Sequence, residues 1–188
     1  MNPNALIFQA KSFYNAYIAL EHLDASSDKP LLFVTPMLVN GAFSIELGLK
    51  AILVKNNIDY AKEHNMFVLF NLLPECYQHE ILNYIIEKTP EYKDPQKLGD
   101  EFLLISNVFV DWRYCFEKSA PAVDIRFISA FANASIRCLL AHYNVDLVEM
   151  TDNDETEAEI DDKFARNRKQ YIETNLSYIR KKYKEKYK

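Results

Sequence analysis

Glycine is scarce in this chain, at three residues in 188. So few exclude collagen, a many-turned β-sandwich and a glycine-rich phosphate loop. Neither Gly-x-Gly-x-x-Gly nor Gly-Lys-Ser/Thr occurs, which rules out nucleotide binding through the usual loops. The three cysteines, Cys76, Cys115 and Cys138, form no Cys-x-x-Cys pair, which argues for a reducing compartment and against a disulfide framework. The four histidines give no His-x-x-x-His, Glu-x-x-His or His-Glu-x-x-His, so neither a metal nor another cofactor is expected. No nucleophile elbow surrounds Ser12, Ser44 or Ser106. Residues 1–11 lack a basic stretch followed by an apolar core. The longest uncharged run, Pro30 to Ile45, is interrupted by Pro36 and Asn40 and is shorter than a membrane span. These absences point to a soluble cytoplasmic protein with no membrane partner.

What is present suits one domain with an appendage. With 49% hydrophobic residues, a chain of this length buries a core that needs no disulfide or metal. The net charge of −5 is unevenly spread. Residues 149–162 carry eight acids and no base, whereas residues 163–188 carry ten Lys/Arg against Glu173 and Glu185. The division expected is a body over 1–148, an acidic linker over 149–162 and a basic amphipathic helix over 163–188.

Helical periodicity dominates and strand-like alternation is rare. A first helix is predicted from about Asn4 to Leu23, with Ala5, Phe8, Phe13, Tyr17 and Leu20 near one face. A second starts at the Thr35-Pro36 cap and runs to Val54, with Leu38, Ala42, Ile45, Leu49, Ile52 and Leu53 as its stripe and Asn56-Asn57 as its end. Asn65 caps a short helix to Leu73, and after Pro74 a further stretch runs to about Lys88. Two more helices cover roughly Leu98 to Phe116 and Val123 to Tyr143, the latter with Ile128, Phe131, Ala132, Ser135 and Leu139 on one side. In the tail, Leu176, Ile179 and Tyr183 belong to an apolar stripe between basic positions. The fold class is all-α, an antiparallel bundle with an extra C-terminal basic helix.

Chemistry-bearing residues inside these apolar helices are few. Glu46 and Lys50 are spaced i, i+4, His64 opens His-Asn-Met-Phe-Val-Leu, and Arg113 follows the only tryptophan in Asp-Trp-Arg-Tyr. Taken singly, each has a plain structural account: a helix-surface ion pair, a helix-entry residue, and an arginine stacked on Trp112 or Tyr114.

Taken together they form a pattern. Glu46-x-x-x-Lys50-Ala51, then His64-Asn65-Met66-x-x-Leu69, then Arg113-Tyr114 followed by another amphipathic helix resembles, in order, the motifs of the HEPN superfamily of helical domains. The match spans about residues 36–142. The resemblance implies a small helical bundle, often a homodimer with its functional residues at the dimer cleft. Many members are metal-independent ribonucleases in toxin–antitoxin or phage-defence systems, and their signature is an Arg followed by His after four to six residues. There the Arg stabilises phosphate charge and the His moves protons at an RNA 2′-hydroxyl.

No His follows Arg113 at that spacing. This is similar to the branch that keeps Arg-Tyr, binds nucleotides and accompanies nucleotidyltransferases. One helix later, Arg137 and His142 do match the signature. Two functions therefore stand side by side. One is action on RNA, with Arg113 or Arg137 at the phosphate and His142 or His64 as acid/base. The other is a non-catalytic nucleotide-binding or partner-docking module using Glu46, Lys50, His64, Arg113 and Tyr114. The partners implied are RNA or a nucleotide, a second copy of the chain, and an antitoxin or nucleotidyltransferase. The basic tail, with Tyr171, Tyr178, Tyr183 and Tyr187 interleaved, suits phosphate contact with base stacking, or docking of its apolar stripe on the bundle.

Overall fold

The computed structural model describes residues 2–28, 32–60, 62–106, 123–143 and 162–187. Within the last segment it describes the side chains of 173, 174 and 176–186. Among the described residues there are seven α-helices and no strand. Asn2 opens α1 (Pro3–Ala25) by accepting from the Asn4 N–H at 3.0 Å, with Pro3 in the first turn. The buried stripe of α1 is Leu6, Ile7, Ala10 and Tyr17. Phe8, predicted on the inner face, is 62% exposed, because the face that packs is the one aimed at the next helix.

That helix, α2 (Val34–Lys55), is the buried spine, with 14 of its 22 residues enclosed, including the whole predicted stripe. It runs antiparallel to α1: the Ser44 hydroxyl donates to the Ala10 carbonyl at 2.9 Å, Phe13 meets Phe43 edge to face, and Gly41 lies against Tyr17. By length and composition α2 could cross a membrane, yet 78% of its apolar window is buried against the rest of the chain. It ends where predicted. Asn57 takes a left-handed φ of 56°, and the Ile58 N–H returns to the Leu53 carbonyl at 2.9 Å.

Asn65 caps α3 (Met66–Leu72) by accepting from the Val68 N–H at 3.1 Å. Pro74 then starts α4 (Glu75–Lys88), and Gln78 reaches back to donate to the Phe70 and Leu73 carbonyls, closing the open end of α3. A 3-10 turn (Pro90–Lys93) leads into α5 (Pro95–Ile105), capped by Asp94. The helix expected from Leu98 to Phe116 starts earlier, at Pro95, and ends at Ile105 with Ser106 as its C-cap; residues 107–116 lie outside the described residues.

Asp124 caps α6 (Ile125–His142) by accepting from the Arg126 N–H at 2.9 Å, while its own N–H donates to Glu101 at 3.0 Å. The predicted inner face of α6 is buried. Phe67, Phe70, Phe102, Phe127 and Phe131, all fully buried, make an aromatic centre between α3, α5 and α6. The final helix, α7 (Asp162–Tyr187), lays Leu176 and Ile179, at 2% and 0% exposure, on this bundle, with Tyr183 edge-on to Phe67. Arg180 and Lys182 are tied to Gln78 and Asp100 at 2.8 and 2.9 Å.

Candidate functional site

Burial of α2 carries a polar pair inward with it. Glu46 is 1% and Lys50 7% exposed, one turn apart, and the Lys50 Nζ donates to Glu46 Oε1 at 2.7 Å. A second element supplies His64. The Glu63 carboxylate accepts from the N–H groups of His64 and Asn65, at 2.8 and 2.7 Å, and holds the turn that presents the imidazole. His64 Nδ1 stands 2.9 Å from that same Glu46 oxygen and 3.4 Å from Lys50 Nζ.

Nδ1 cannot donate to the carboxylate and accept from the ammonium at once. Lys50 already donates to Glu46 at 2.7 Å, and the 2.9 Å contact to the carboxylate is shorter than the 3.4 Å one to the ammonium, so the geometry favours Nδ1 carrying the hydrogen and donating to Glu46. In that tautomer Nε2 is the ring's acceptor nitrogen, on a side chain 63% exposed. Glu46 Oε2 is buried and has no hydrogen-bond partner among the described residues. Tyr60 closes one side, its ring 5.3 Å from Lys50 Nζ, and its hydroxyl is pushed above the ordinary tyrosine range by burial, then by Glu46 and Asp59. The arrangement is an oriented, solvent-facing imidazole above a buried carboxylate and ammonium. It can take a proton from a hydroxyl and hold a phosphate oxygen near positive charge.

The other predicted residues fall elsewhere. Arg113 and Tyr114 lie outside the described residues. Arg137 is exposed on α6 with its guanidinium 5.3 Å from the centre of the Tyr84 ring. His142, at the end of α6, has Nε2 2.6 Å from Glu80 Oε2 and packs edge-on to Tyr77, ring centres 5.0 Å apart. Their partners Glu80 and Tyr84 are one turn apart on α4, so Arg137 and His142 share the α4–α6 seam. The Glu46 cluster belongs instead to α2 and the turn before α3.

Two side chains on that seam, Glu80 and Cys138, join His142 without having been singled out in the sequence. Glu80, Cys138 and His142 place one carboxylate oxygen, one thiol and one ring nitrogen within 4.8 Å of one another, a set able to hold a metal ion. The Cys138 thiol is pushed well above its ordinary range by burial, then by Glu80 and Cys76. Cys138-x-x-x-His142 was the legible half of the cluster; a search confined to His–His and Glu–His spacings misses it. A groove of about 920 Å³ between α4 and α7 is lined by Glu75, Cys76, His79, Arg180, Lys181 and Lys184. No protein-family model, curated protein or solved structure matches this chain.

Proposed function

We propose that this chain is a HEPN-type helical module that acts on RNA or binds it, through a face built on Glu46, Lys50 and His64. The observation that carries this reading is the meeting of those three residues at one carboxylate oxygen. They are the residues of the first two motifs by which the chain resembles the family, and they come from segments up to 18 residues apart. With Nδ1 donating to Glu46, His64 Nε2 serves as the acid/base nitrogen at an RNA 2′-hydroxyl, and Lys50 stabilises the charge that develops on the phosphate. The tail's basic residues add sequence-independent phosphate attraction.

A specific contact supports a second centre for the same chemistry. His142 is held by a carboxylate at 2.6 Å, as an acid/base histidine is, with Arg137 on the same seam. The absence of His after Arg113 supports the non-catalytic form, nucleotide or partner binding beside a nucleotidyltransferase. One assay separates them. A mixed RNA pool is incubated with purified protein in excess EDTA, and binding is measured in parallel, for wild type, His64→Ala, Arg137→Ala, His142→Ala and Arg113→Ala. Loss of cleavage and binding in folded His64→Ala is the expected result. Cleavage lost only with Arg137→Ala and His142→Ala moves the chemistry to α6. Binding without cleavage selects the non-catalytic form, and folded wild-type protein that neither binds nor cuts RNA overturns the proposal.

A further inference from the structure

Two antiparallel helices meet at the α4–α6 seam. On α6, Cys138 and His142 are spaced i, i+4 and so share a face one turn apart. On α4, Glu80 stands opposite them. The ligand atoms of all three lie within 4.8 Å, and the His142–Glu80 pair is already at 2.6 Å. Donors bound at 2.0–2.3 Å to a tetrahedral centre stand roughly 3.3–3.8 Å apart, so small side-chain adjustments suffice to close on one ion.

We propose that Glu80, Cys138 and His142 form a binding site for a borderline-soft divalent cation of the zinc class. Donor chemistry sets the class. A thiolate and an imidazole select zinc-like ions over magnesium or calcium, which prefer all-oxygen shells. Charge agrees with the burial. One thiolate and one carboxylate neutralise a doubly charged ion, so the ion enters beside a fully buried cysteine without leaving net charge there. On binding, the Cys138 thiol proton passes to solvent, the neutral His142 ring carries its hydrogen on Nδ1, and no electron moves. Access is through His142, which is exposed, and three protein donors leave the fourth tetrahedral position to water.

The turn that carries His142 is held by its neighbours. Tyr77 packs edge-on to the His142 ring, its hydroxyl is 3.0 Å from that of Tyr143, and Asn56 donates to Tyr143 at 2.9 Å. These contacts fix the end of α6 on α2 and α4, and with it the ligand-bearing turn. The site stands independently of the RNA reading, although an ion there would occupy the nitrogen that a catalytic His142 needs.

The test is titration of the reduced, full-length protein with cobalt(II) as a spectroscopic stand-in for zinc. A thiolate-to-cobalt charge-transfer band is expected, displaced by zinc. It should be absent in Cys138→Ser, and cobalt affinity should fall about tenfold or more in His142→Gln, whose surface position leaves folding intact. Circular dichroism confirms that each variant folds. A folded wild-type protein with no band, or a band that survives Cys138→Ser, overturns the proposal.

Discussion

An ammonium held inside a helix needs its counter-charge within reach, and Lys50 has Glu46 at 2.7 Å. Removing one member of a buried pair leaves an uncompensated charge, whereas replacing both with apolar groups is often close to neutral. Lys50→Met should therefore lower stability by about 3 kcal/mol, and Glu46→Leu/Lys50→Met should recover most of that loss. Urea unfolding of the two variants measures it. If the pair serves RNA, the double variant keeps the fold and loses binding. If it serves only the fold, both properties return together. The pair and His64 were legible because an i, i+4 spacing and a capped helix start are local patterns. The Glu80 contribution to the α4–α6 cluster was not, since Glu80 and His142 are 62 residues apart and only packing joins them.

Among the elements, α2 and α6 were the easiest to foresee, because both bury wide apolar faces, although α2 starts earlier than its predicted Thr35 cap: Phe33 is the N-cap, with no side-chain cap bond, and Thr35 lies inside the helix. α1 was harder. Leu6, Ile7 and Phe8 are consecutive and apolar side chains recur on more than one side of the helix, so periodicity alone did not choose between Phe8 and the Leu6–Ile7 side. Contact with α2 did, at a point where Gly41 allows close approach. A Cβ placed at Gly41 would stand 2.8 Å from Ile128 Cγ2 and 2.9 Å from Tyr17 Cδ2, both in fully buried residues. Gly41→Ala should thus destabilise the bundle by about 1–3 kcal/mol through overpacking, despite alanine's better helix propensity. A thermal melt giving equal or greater stability would show that α1 and α6 can move apart without loss.

At the scale of the molecule, α7 draws distant parts of the chain together. Leu176 and Ile179 are buried in the shared core, Tyr183 meets Phe67 of the aromatic centre, and Gly99 leaves room for the Tyr178 ring. Ile179→Ala should cost about 2–4 kcal/mol, read as a lower urea midpoint in a single cooperative transition. Two separate transitions would mean that the helix melts independently of the bundle. The amphipathic stripe was visible in the sequence, but its acceptor surface was not, because that surface is assembled from three separate helices. This arrangement also sets an order in time. Leu176 is made 74 residues after Phe102, a delay on the order of 4–15 s at ribosomal speed. For that interval the nascent bundle displays the apolar surface of α3 and α5 uncovered, and it is then that a chaperone or a second nascent chain has its opening.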